Sequence, residues 1–82
     1  MSVEHDITET LDVKGMNCPM PVVKTKQTID ELNVDEVLEV LATDAGSMSD
    51  IDGWTESTDG VELLEQVDAD GVYKHYVRKT DA

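Results

Sequence analysis

The amino-acid sequence predicts an α+β fold, a two-layer α/β sandwich of element order β-α-β-α-β-β with both helices on one face of the sheet. Three observations carry this reading. Apolar residues alternate with polar ones near the start of the chain and again over two stretches near its end, the two-residue period of strands with one buried face. After Cys18-Pro19-Met20-Pro21 the apolar spacing changes to three and four residues, the period of an amphipathic helix. Between these patterns lies Val37 to Ala42, an almost unbroken apolar run suited to a central strand.

Taken in order, Ile7, Leu11 and Val13 alternate with Thr8, Thr10 and Asp12, a half-buried strand that runs into a turn at Gly15. Val22, Val23, Thr25, Lys26, Ile29 and Leu32 then follow helical spacing to an end near Asn33. Pro19 and Pro21 suit the first turn of that helix, where N–H groups lack partners, and would break its middle. Val37 to Ala42 is the second strand. Asp44, Ser47 and Ser49 each offer an N-cap for a second helix carrying Met48, Ile51 and Trp54, with Gly53 weakening its middle or its end. Val61 to Val67 and Val72 to Lys79 are two further strands, and Asp70-Gly71 between them predicts a hairpin, so they should be antiparallel neighbours. The first strand-helix-strand crossover should be right-handed.

A chain of 82 residues has room for one domain with an ordered core over about 7–79. Such a domain buries only roughly 60% of its unfolded surface, which leaves little space for an enclosed active site. With no Phe, one Trp and two Tyr, the core should be aliphatic. Nineteen acidic residues against six basic ones give a net charge of -13. Periodic apolar runs argue against disorder, so the acids read as a hydrated, salt-adapted surface of the halophile type. This charge also disfavours direct nucleic-acid binding, although Lys74, Arg78 and Lys79 could touch a phosphate of a partner complex. Met1 to Asp12 is acid-rich without an apolar run, and no span suits a bilayer, so a cytoplasmic protein without membrane attachment is expected. The charge further suggests a monomer.

Chemistry converges on the single cysteine. One cysteine permits no internal disulfide, no CxxC zinc site and no resolving thiol in the same chain. Cys18 precedes Pro19 at the N-cap or N-prime position of the first helix, where the macrodipole favours a thiolate. Because Pro19 and Pro21 have no N–H, Met20 and Val22 are the donors left in the first turn, and the prolines chiefly stiffen presentation of the sulfur. Residues 13–29 contain Lys14, Lys24 and Lys26 and none of the nineteen acids, a basic island that would lower the thiol pKa. The bland counterparts are a buried filler cysteine and ordinary solvated lysines. The prolines at a helix start make deep burial of the cysteine awkward.

The segment Gly15-Met16-Asn17-Cys18-Pro19-Met20-Pro21-Val22, preceded by Leu11-Asp12, resembles the signature of the TusA/SirA family of sulfur-transfer proteins, a Cys-Pro-x-Pro motif opening the first helix. Leu38 to Asp44, then Ser49-Asp50-Ile51 with Trp54, and Gly71-Val72-Tyr73 to Lys79 resemble the family's later elements, so the likeness spans roughly residues 7–79. It implies a mixed four-stranded sheet of order 1-2-4-3 with two helices on one face. It implies that Cys18 accepts sulfane sulfur as a persulfide from a donor, a cysteine desulfurase or a rhodanese, and relays it to an acceptor sulfurtransferase protein, in tRNA thiolation or another sulfur-trafficking route, without a cofactor. Gly15 (turn), Pro19 and Pro21 (helix start) and Asp44 (across the sheet end) are the supporting residues it implies. Where some relatives carry a second cysteine, this chain reads Trp54-Thr55, which excludes a dithiol mechanism within one chain. Met20 stands where relatives often have an acidic or bulky residue, as a partner contact or a helix-start spacer.

Two other readings stand beside this one. His5, His75 and Cys18 are too scattered for a metal site, and Asp50, Asp52 and Glu56 lack a calcium-loop pattern, so no metal is expected. The alternative from another class is a non-catalytic interaction or regulatory module in which Cys18 stays a thiol and the basic island docks an acidic partner.

Overall fold

The structure, a computed structural model, describes residues 7–17 and 19–80. Its elements follow the expected order: β1 (Ile7–Asp12), α1 (Met20–Asp30), β2 (Val37–Ala42), α2 (Ser47–Ser57), β3 (Val61–Ala69) and β4 (Val72–Lys79). The sheet runs β1-β2-β4-β3, with β1 parallel to β2 and the other two pairings antiparallel. Asp70 and Gly71 both take positive φ, 56° and 89°, so the two-residue turn has the twist that matches antiparallel strands.

Leu38, Val40 and Ala42 alternate along β2 and share one face, and all three are fully buried. Ile29 of α1 and Ile51 of α2 join them, with Val13, Leu32 and Val77, in one aliphatic cluster. Both helices therefore cover the same sheet face. Each such side chain contributes roughly 1.5–3 kcal/mol by leaving water, which is what holds two short helices onto the sheet. Among the described residues no helix is long and apolar enough to cross a membrane.

Several local expectations need correction. α1 stops at Asp30 rather than near Asn33. The Glu31 and Leu32 N–H groups turn to Thr28 O and Ile29 O at 3.0 and 3.1 Å, and Lys79 Nζ donates to Asp30 O and Leu32 O, so the last carbonyls are satisfied from β4. None of Asp44, Ser47 and Ser49 is the N-cap of α2, which is Gly46. Gly53 neither ends nor interrupts that helix. β1 is an edge strand, and it is exposed rather than half-buried: Leu11 is its one partly covered residue, and Ile7 is 40% exposed. With a neighbour on one side only, its alternation delivers burial at Val13, just past its end, which is 1% exposed.

On the opposite face, Glu39 accepts hydrogen bonds from Thr10 Oγ1 at 3.1 Å and Tyr76 Oη at 2.9 Å. Burial, with the Glu39 carboxylate beside it, pushes the Tyr76 phenol up to about 12.

Candidate functional site

Because β1 and β2 are parallel, their C-terminal ends open on the same edge of the sheet, and the segments leading into α1 and α2 lie side by side there. The Val13 N–H continues the ladder by donating to Leu41 O at 2.8 Å. Two residues on, the Gly15 N–H donates to Thr43 Oγ1 at 2.8 Å. Gly15 has φ +83°, and a Cβ there would meet open space, so backbone conformation rather than crowding calls for glycine. The loop folds as consecutive tight turns: Met16 N–H to Val13 O at 3.1 Å, then Met20 N–H to Asn17 O at 3.0 Å.

Cys18 itself lies outside the described residues, as does His5, so the helix-cap position expected for the thiol falls there too. Its chain neighbours Asn17 and Pro19 are described. Pro19 is the N-cap of α1, exposed and without a side-chain cap bond, and Pro21 occupies the second helical position, fully buried. Pro21 O accepts from Thr25 Oγ1 at 2.7 Å, inside the helix. The two prolines thus do different things: one stands at the rim and the other pins the first turn into the core. Of the two backbone donors expected in this turn, the Met20 N–H is already engaged by Asn17 O, which reduces what the helix start can offer an anion.

Gly15, Pro19, Pro21 and Asp44, the residues that the resemblance implies as supporting, lie at one edge of the sheet. Asp44 Oδ1 accepts the Gly46 N–H at 2.9 Å and its carbonyl accepts the Ser47 N–H at 2.9 Å, shaping the entry into α2. The three lysines are not gathered in the same way. Lys14 Nζ is 3.9 Å from Asp12 Oδ2, a carboxylate just outside the acid-free window. Lys24 is half-buried on α1. Lys26, seven residues beyond the N-cap and so roughly 10 Å along the axis, lines a cleft of about 160 Å³ at the far end of the helices with Asp30, Trp54 and Asp59.

Sequence reasoning missed three contributors. Met16, Met20 and Val23 are 36%, 41% and 38% exposed, apolar residues that flank position 18 in the chain; of these the sequence marks only Met20 as a contact. Thr43 supplies the clasp on Gly15, for which the Thr43-Asp44 pair was the available signal. Ser47 turns inward to His75, and nothing in local pattern marked it.

Comparison with known proteins bears on the family and the fold. Residues 9–79 match the family model described as sulfurtransferase TusA. A protein of Halobacterium salinarum, provisionally named a sulfur carrier, is 71% identical over 80 residues, covering 98% of this chain and 99% of its own. The sulfur carrier protein TusA of Allochromatium vinosum is 36% identical over 75 residues, covering 92% and 97% respectively. Among solved structures, the SirA-like protein of Desulfitobacterium hafniense superposes with a TM-score of 0.70 at 27% identity, over 89% of this chain and 99% of that one.

Proposed function

We propose that this chain, which belongs to the sulfurtransferase TusA family, carries sulfur as a persulfide on Cys18 between a donor enzyme and an acceptor protein. The observation that carries this reading is the Cys-Pro-Met-Pro motif in the sequence, of which Pro19 to Pro21 open α1 after a clasped glycine turn, with Met16, Met20 and Val23 exposed and Pro21 buried. The family resemblance adds the role of sulfur carrier.

In the first step the Cys18 thiolate attacks the outer sulfur of a persulfide on the donor's cysteine. A new S–S bond forms at Cys18 as the donor's S–S bond breaks, and the electron pair leaves on the donor's thiolate. In the second step a thiolate of the acceptor attacks the outer sulfur now on Cys18, whose own thiolate leaves. One sulfane sulfur moves and no net oxidation or reduction occurs, so the exchange needs only nucleophiles and access. A cysteine desulfurase or a rhodanese fits the donor role and a sulfurtransferase the acceptor role, with tRNA thiolation as one destination.

The test is incubation of the chain with a cysteine desulfurase and L-cysteine, followed by intact-mass measurement. A gain of about 32 Da, one sulfur atom, that reducing agent removes and Cys18→Ser abolishes is expected. A wild-type chain that gains no mass from either a desulfurase or a rhodanese would overturn the carrier reading in favour of a docking module.

A further inference from the structure

Ser47, His75 and Gln66 form a hydrogen-bonded line through the interior that sulfur exchange does not use. His75 lies on the helix-covered face of β4, opposite Val40 of β2 and Gln66 of β3. Its Nδ1 is 2.6 Å from Gln66 Oε1 and its Nε2 is 3.0 Å from Ser47 Oγ. An amide oxygen only accepts, so Nδ1 holds the proton, Nε2 is the acceptor, and the Ser47 hydroxyl donates to it. Both residues are 0% exposed, so no substrate reaches Ser47 Oγ and the pair is no nucleophile and base.

What the pair can do is hold. Ser47 is the first residue of α2, and the turn before it is tied to the loop that bears the cysteine. The Ser47 N–H binds Asp44 O, and the adjacent Thr43 Oγ1 accepts the Gly15 N–H. A continuous path thus leads from β3 through the core to Gly15, three residues from Cys18. Its outer members, Thr43 and Gly15, are exposed, Gln66 and Asp44 are half-buried, and Ser47 and His75 between them are fully buried.

We propose that His75 is a positioning residue for the Cys18 loop, acting through Ser47 and the 43–47 turn, and that the neutral imidazole is the form that holds the loop in place. The functional part of this rests on Cys18 being the sulfur-bearing residue. Protonation would put a second donor against Ser47 and an uncompensated charge in the interior. The elements packed on His75 present Val40, Gln66 and Ser47. The carboxylates nearest along α2 and β3, Asp50 and Asp68, are exposed, and Glu39 and Glu65 are on the opposite sheet face with Tyr76. Burial alone lowers the His75 pKa to about 4. An opened turn would titrate at its ordinary value, so its population rises as pH falls from 6.5 towards 4, by on the order of 300-fold at the limit.

The experiment compares wild type with Ser47→Ala, His75→Leu, His75→Gln and Thr43→Val by Gly15 amide-exchange protection, corrected for intrinsic rate, and by Cys18 loading from a cysteine desulfurase with L-cysteine. At pH 7, in samples folded by circular dichroism, Ser47→Ala and His75→Leu should each lower protection and loading about tenfold, the loss of one buried hydrogen bond. Wild type should lose Gly15 protection as pH falls towards 4, and His75→Gln, which cannot titrate, should not; the acid arm is read on protection alone, because loading also falls with the thiolate fraction of any cysteine. Thr43→Val cuts the outer link without touching the core and should slow loading while leaving the acid dependence of overall stability unchanged. Unchanged protection in Ser47→Ala and Thr43→Val, or an equal acid loss in His75→Gln, overturns the proposal. If the His75 variants fail to fold, Ser47→Ala and Thr43→Val decide it. A wild type that never loads sulfur but shows the expected protection pattern refutes the carrier reading and leaves the positioning role standing.

Discussion

The two helices begin at the same edge of the sheet, neither with a side-chain cap, and they differ in the chemistry of what they bury and what they show. The first turn of α1 is turned outward: Pro19 is exposed, Met20 and Val23 present 41% and 38% of their surface, and only Pro21 is sunk into the core. The first turn of α2 also buries one residue, but that residue is Ser47, bonded to His75, and the ones it exposes, Ser49 and Asp50, are polar. One start displays and the other anchors. The clasp between Thr43 and Gly15 joins them, so the turn that shows apolar residues is steadied by a neighbour whose first residue is buried and hydrogen-bonded. A carrier that meets at least two partners has reason for this division, since the surface it offers must be accessible without being loose.

Breaking the anchor should have the largest effect. Ile51 is fully buried beneath α2, and Ile51→Ala should cost roughly 2–5 kcal/mol in urea unfolding. The next effect is acid. His75 has a folded pKa of about 4 against 6.5 unfolded, so the folded state binds fewer protons between those values. Its contribution, up to about 3 kcal/mol, is complete above pH 6.5 and is lost as pH falls through 4. Denaturant midpoints measured from pH 7 to 4 should decline in wild type, and the part of the decline absent from His75→Gln is this residue's share.

Smaller changes probe the display side. Gly15→Ala, forced into positive φ, should lose about 1–2 kcal/mol with no packing change to share the blame. Met20→Gln, on an exposed surface, should alter stability by less than about 0.5 kcal/mol. It should nonetheless raise the KM for a protein sulfur donor while leaving loading by inorganic polysulfide unchanged. Equal effects on both donors would remove Met20 from the docking surface.

Much of this molecule was legible in the residue pattern, because strand and helix periods and the Asp70-Gly71 turn are local and act over a few bonds. The βαβαββ order and the antiparallel final pair follow from them, and the Cys-Pro-x-Pro segment marks the start of α1 because proline tolerates few other helical positions. Resemblance supplied the strand order that periodicity left open. Helix ends were harder to read. Asp44, Ser47 and Ser49 all had the chemistry of an N-cap, yet the first turn of α2 is capped by Gly46 because Ser47 is drawn into the core.

By itself, then, the sequence determined the elements and the aliphatic core, and it singled out one cysteine for the proposed chemistry. Only the tertiary structure decided which groups act together. Lys14 and Lys26, twelve residues apart within one acid-free window, part company: one meets Asp12 just outside it and the other lines a cleft with Asp30 and, from beyond α2, Asp59. Ser47 and His75, 28 residues apart, come within 3.0 Å. Burial explains both outcomes. A surface charge keeps company with whatever shares its patch of solvent, and a polar group taken out of water must find its partner wherever the fold puts one.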